Sequence, residues 1–167
     1  MGDKYYYLIA SLPYLDFEKD TPITREEFLE ESKKWLSAED FRQLEDVDIN
    51  DTEIKKDDPD LIKGWKGFDL ELREELARIR QARRNNLNEK IPPSFLEVFN
   101  KTTPLLMEKE IQKKRWFFIQ ELEFGHHFDI GALLVYYLKL QAKERLDSFD
   151  RDKGKEVFEE MCEVSYG

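Results

Sequence analysis

From Ile130 to Leu146 the sequence reads IGALLVYYLKLQAKERL. At helical spacing this run is apolar on most of its circumference. A helix of that kind has no face to give to water, so it has to lie at the centre of the molecule with other elements covering it on several sides. At 167 residues the chain has a one-domain length, enough to bury roughly 68–70% of its unfolded surface. The fold class that follows is mainly α, a compact helical bundle assembled around this segment.

The covering helices announce their starts. Thr24 followed by Glu27 is a capping box, and Ile23 with Phe28 occupy the positions of a hydrophobic staple. Ser37 with Asp40, flanked by Leu36 and Phe41, nearly repeats it, and Ser94 with Glu97 is a third example. Thr103-Pro104 supplies a cap followed by proline at the first helical position, where the missing N–H costs nothing. Leu72, Leu76, Ile79, Arg83 and Leu87 keep a three-to-four spacing and predict an amphipathic helix of about five turns, capped at Asp69, with Glu71, Glu74 and Glu75 early and arginines late as the helix dipole favours. Val157, Phe158, Met161 and Val164 predict one face of a final helix.

Two stretches stay open. YYYLIA at the start suits either a short N-terminal strand or a first helical turn. Asp46 to Asp60, DVDINDTEIKKDDPD, is a linker, a long loop or a segment ordered by a partner. The chain therefore divides into an acidic N-terminal helical segment and linker, 1–60, and a helical core, 61–167, within one domain overall.

Charge narrows the function. The first 60 residues carry 8 Lys/Arg against 18 Asp/Glu, whereas the remainder carries 19 of each, so the whole net charge of −10 lies in the first part. A phosphate backbone would be repelled there, which argues against nucleic acid as a partner, and a basic protein surface would be attracted to Glu18–Asp60. The basic run RIRQARR, Arg78 to Arg84, reads as a solvated helix face. The one cysteine, Cys162, has no second thiol for a disulfide or a metal knuckle and reads as a packing residue in a reducing compartment. The apolar stretch at the start is only about eight residues and is followed by Pro13 and acids, so a soluble, cytoplasmic protein is expected.

The sequence contains no phosphate-binding glycine loop, nucleophile elbow or H-E-x-x-H motif. Chemistry has to be sought in KKRWFFIQELEFGHHF, Lys113 to Phe128. Glu123 and His127 would share a helix face if a helix ran through Gly125, with Asp129 or Glu121 as a third metal ligand. Gly125 instead predicts a helix end, with one histidine packed and the other in water. Phe117, Phe118, Leu122 and Phe124 read as core, and Arg115 beside Trp116 is a pair of the type enriched at binding hot spots.

Three blocks carry a resemblance: YYYLIASLPYL at the start, GWKGFDLELREELARIRQAR from Gly64, and KKRWFFIQELEFGHHFDIGALLVYYLKLQAKERLDSFDRDKGKEVFEEM from Lys113. Together they resemble an uncharacterised family encoded beside bacterial V/A-type ATPase genes, more distantly similar to the C-type subunit of those rotary enzymes, the counterpart of the d-type subunit in the eukaryotic vacuolar form. The resemblance implies a helical, non-catalytic protein without a cofactor, which joins the central stalk to the membrane-embedded proteolipid ring and reaches the membrane only through those partners. Arg115, Trp116 and Glu121 match the family's Arg-Trp and following Glu, and Gly125-His126-His127-Phe128 partly replaces its aromatic pair; Arg115, Trp116, Glu121 and His127 are the candidate partner-binding residues. The C-type subunit is a funnel of three helical bundles, so a chain this short would provide a partial adaptor or act in assembly. Two other readings stand beside it: a stand-alone helical adaptor or regulator binding a basic partner, and a metal-dependent enzyme using Glu123, His127 and Asp129.

Overall fold

The computed structural model describes residues 3–87 and 90–165, with side chains for 4–87 and 90–149. Among these residues the chain forms seven α-helices, one 3-10 turn and no strand. The helices are α1 (Asp3–Ser11), α2 (Arg25–Trp35), α3 (Ala38–Glu45), α4 (Asp60–Arg84), α5 (Leu96–Phe99), α6 (Pro104–Leu122) and α7 (Ile130–Ser165), with the 3-10 turn Pro93–Phe95 before α5. The mainly helical bundle expected from the sequence is the fold observed.

The run that demanded burial receives it. Along α7 from Gly131 to Lys143, every residue except Ala132 and Tyr136 is buried. Helices α1, α2, α3 and α6 pack against it. Helix α6 runs antiparallel to α7, since Trp116 meets Lys139 across the pair while Glu108, nearer the start of α6, meets Arg145. Lys139 and Lys143 lay their stems in this interior and carry their ammonium groups out to partners, Lys143 to the carbonyls of Phe17 and Lys19.

The core has two parts. The larger joins Leu8, Phe28, Leu44 and Trp65 to Trp116, Ile119 and the inner residues of α7. The smaller joins Leu72, Leu76 and Ile79 of α4 to Val98, Phe99 and Ile111. Helix α4 runs through both, and Phe68 touches each.

The capping chemistry at Thr24 is present in full, with Thr24 accepting from the Glu27 N–H and Glu27 accepting from the Thr24 N–H. Ser37 caps α3 through the Asp40 N–H, and Thr103 caps α6 through the Leu106 N–H ahead of Pro104. Two expected starts are not where the sequence put them. Ser94 lies inside the 3-10 turn and α5 begins at Leu96 without a side-chain cap. Asp69 caps nothing: α4 begins nine residues earlier at Asp60, behind Pro59, and Asp69 is an interior helical position. The two long apolar halves of α4 supply enough packing to extend the helix past a residue that locally resembles a cap.

YYYLIA is helical. Helical phase turns Leu8 into the main core and brings the Tyr5 hydroxyl to Asp40, 2.6 Å away on α3. Burial and the Asp40 carboxylate push the Tyr5 phenol up to about 12. The segment after α3 is a loop held by this chain's own side chains. Gln141 receives the Ile49 N–H and donates to the Val47 carbonyl, both at 2.8 Å, with Val47 and Ile49 buried. Farther along, Lys66 gathers Asp51, Asp58 and the Glu53 carbonyl within 3.1 Å. A partner is therefore not required to order it. The backbone of α7 continues unbroken to Ser165, while the face predicted from Val157, Phe158, Met161 and Val164, and the packing of Cys162, lie outside the described side chains.

Candidate interaction surface

The helical phase of α6 sorts the block around Arg115 only partly as expected. Its buried positions are Ile111, Gln112, Arg115, Trp116 and Ile119, one stripe facing α7 and α4. Arg115 and Trp116 are only 6% and 3% exposed. Trp116 packs on Phe17 and lies under the Lys139 ammonium, 5.6 Å from its ring centre. Phe117, read as core, is 53% exposed because it falls outside the stripe, and Phe124, also read as core, is 92% exposed because α6 has ended before it. Phe118 and Leu122 do pack against the main core.

Arg115 is inside because Asp69 is there to receive it. Its Nε donates to Asp69 Oδ1 at 2.7 Å, while Arg73, one turn farther along α4, donates to Oδ2 at the same distance. Asp69 is 0% exposed. In sequence, Asp69 stands between the Trp65 and Leu72 contacts of α4, and Arg115 between the Ile111 and Trp116 contacts of α6, so the pair lies at the seam of the two cores. A buried carboxylate requires such partners, since an uncompensated charge costs several kcal/mol there. The signal was present in the sequence: Asp69 continues the spacing of Trp65, Leu72 and Leu76, where an apolar residue is called for.

At the end of α6 the chain stops at Leu122 and turns through Gly125, whose φ of +82° suits glycine. That turn separates Glu123 from His127, so the two do not share a helix face. Lys139 takes Glu123 at 2.7 Å, and His126 together with the Ala132 N–H takes Asp129. His127 is exposed and His126 half-buried. Burial works against the Asp129 carboxylate, yet the His126 and Ala132 hydrogen bonds outweigh it and hold its pKa below the ordinary value. The ring of His126 lies so close over Gly131 that an added Cβ would stand 2.7 Å from its Cγ. Among the described residues no group of three His, Cys, Asp or Glu side chains could hold a metal ion. The described groups proposed as metal ligands are thus occupied in local structure, apart from His127 and Glu121.

What this end of the molecule presents is aromatic. Tyr6 of α1 packs on Phe128 of the turn at 4.8 Å between ring centres, and Tyr7 stacks on Trp35 at the end of α2 at 6.0 Å. Tyr6 and Tyr7 meet edge to face. All four rings remain substantially exposed, and the same turn carries Phe124. Of the residues expected to contact a partner, His127 is exposed in the turn, next in sequence to Phe128. Glu121 stands exposed on α6, beside a groove shared with α4. The aromatics of α1 and α2 were not singled out from the sequence, because what joins them to Phe128 is the packing of α1 on α2 and α7.

Among the described residues no helix is long and apolar enough to cross a membrane. No curated protein and no solved structure matches the chain. One family profile matches residues 60–164, a span that opens with the first residue of α4 and closes within the last turn of α7. Since that covers well over half of the sequence, the chain belongs to the family described as protein of unknown function (DUF2764).

Proposed function

We propose that this chain is a non-catalytic docking subunit, and that the assembly it serves is a V/A-type ATPase, where it couples or helps assemble the central stalk and the proteolipid ring. The observation that carries the docking role is the exposed aromatic cluster of Tyr6, Tyr7, Trp35 and Phe128. Exposed, mutually packed aromatic rings offer large rigid contact area at little entropic cost and are the residue type enriched where proteins bind each other. The buried ionisable groups, by contrast, are engaged inside the fold: Asp69 with Arg115 and Arg73, Lys66 with the loop, Lys143 with two carbonyls. The choice of an ATPase is supported by the three-block resemblance in sequence.

The acidic excess of the first 60 residues favours a second reading, a stand-alone adaptor for a basic partner. Co-expression with ATPase central-stalk and ring proteins separates the two. Co-purification with them supports the ATPase role, and purification alone moves the function to the adaptor.

A further inference from the structure

Helices α4 and α6 and the 3-10 turn enclose a groove of about 550 Å³ on the outer side of their contact. Phe68 and Phe118 line its floor and stack face to face, with ring centres 3.9 Å apart and planes 2° from parallel. Leu72 and Phe95 line it further, and Phe117 stands half exposed at its lip. Carboxylates flank this apolar floor on both walls, Glu71 from α4 and Glu121 from α6. Both are exposed and neither forms an ion pair among the described residues. Glu75 also lines the groove but is bound to Arg78, and Lys114 is drawn over the Phe95 ring, 5.0 Å from its centre.

An apolar trough with carboxylates on opposite walls is complementary in charge and shape to a helix whose apolar stripe is bordered on both sides by cations. Addition of a peptide as a β-strand would need a strand edge, and no strand exists among the described residues. We propose that the α4–α6 groove binds a basic amphipathic helix of a partner protein, with its apolar stripe on the Phe68–Phe118 floor and its Lys or Arg side chains on Glu71 and Glu121. This rests on the docking reading above and adds the chemistry of the segment that is bound.

The test uses a labelled helical peptide of about five turns, with Leu at i, i+4, i+7 and i+11 and Lys along both flanks, and a second peptide with Glu in place of every Lys. Binding to the whole protein is followed by fluorescence anisotropy. The Lys peptide is expected to bind at least about tenfold more tightly than the Glu peptide, with the advantage shrinking as salt rises. Glu71→Lys combined with Glu121→Lys should reverse the preference, and Phe117→Ala should weaken the Lys peptide. All three substitutions are at exposed positions, and an unchanged circular dichroism spectrum verifies folding. Equal binding of both peptides, no binding of either, or an unreversed preference overturns the proposal. The groove assignment and the docking role fail separately. If the Glu71→Lys/Glu121→Lys/Phe117→Ala variant still captures stalk or ring proteins while Tyr7→Ala/Phe128→Ala does not, the groove assignment falls and the docking role stands.

Discussion

Asp69 shows what one buried carboxylate does to its surroundings. It accepts from two arginines, and they are not equivalent, since Arg115 is buried and Arg73 is partly exposed. Removing the acid strands Arg115 in the interior, whereas removing Arg115 leaves Asp69 with Arg73. Asp69→Asn is therefore expected to cost about 3–5 kcal/mol, the range for breaking a buried pair, and Arg115→Met distinctly less. The double variant should cost less than the sum, as coupled neighbours do. Urea unfolding of the three variants checks the order. Equal single costs would mean that Arg73 does not support Asp69.

The adjacent Trp116 and Phe117 give a second contrast on one helical turn. Trp116→Ala should destabilise by about 3–5 kcal/mol, as for aromatic truncation in a core, and Phe117→Ala by about 0.5 kcal/mol or less, as at a surface. Reversed costs would place the stripe of α6 on its other side. This pair also marks a limit of reading the sequence. The block KRWFFIQELEF is apolar on too many sides for periodicity to choose its inner face, and the choice is made by Asp69, 46 positions away. A pattern argument assigns Phe117 to the core with Trp116 and Phe118; the acid takes Arg115 there, and Phe117 is turned outward.

Among the elements, three of the five starts read from local capping chemistry are present, since Thr24, Ser37 and Thr103 bond as their residue types require, whereas Ser94 and Asp69 do not cap. The order of the loop after α3, which distant groups supply, is not visible in its own residues. The loop after α3 looked unstructured because its apolar residues are few, yet Lys66 and Gln141, from α4 and α7, supply the order its own composition lacks. The backbone N–H of Glu53, followed by Lys66, holds Asp51 below the ordinary aspartate value of 3.8. For Asp58 burial opposes ionisation, but hydrogen bonds from Lys66 and the Lys55 N–H prevail and lower its pKa as well. For Lys66 burial opposes the charge, and the Asp58 and Asp51 hydrogen bonds raise the ammonium pKa in spite of it. Depressed carboxylates contribute stability that is present above their ordinary value and lost as pH falls through the folded one. The raised ammonium contributes stability that is present below its ordinary value and lost as pH rises through the folded one. The loop is thus held most firmly between these limits, across neutral pH, and is released on the acid side. Glu53 and Lys55 donate to Asp51 and Asp58, so their amide shifts in NMR should titrate below 3.8 in the native protein. Lys66→Met should move both transitions upward. Amides that already titrate at the ordinary value would show that Lys66 does not hold the loop.

For the whole molecule, the central helix calls for a bundle and the sequence makes that visible, since IGALLVYYLKL needs cover on several sides and is buried apart from Ile130, Ala132 and Tyr136. The presented surface was less legible. Tyr6, Tyr7, Trp35 and Phe128 come from three separate parts of the chain and become one patch only when α1 lies on α2 and α7. The uneven charge acts at this same scale. If the acidic first 60 residues meet a basic stalk surface, association should slow markedly between 0.1 and 1 M salt, because the screening length falls from about 10 to about 3 Å, while dissociation changes much less. Reversing Glu26, Glu30 and Glu31 to Lys should slow association at low salt, with helix content unchanged. Salt-insensitive association would assign the acidity to solubility alone.

The proposal that the aromatic end docks this chain on a V/A-type ATPase is tested most directly by co-expressing it with the central-stalk and ring proteins and measuring capture by the native chain and by Tyr7→Ala/Phe128→Ala. The account predicts stoichiometric capture by the native protein and loss of capture by the variant, with identical circular dichroism spectra. Capture that is equal for both, or absent for both, would contradict it.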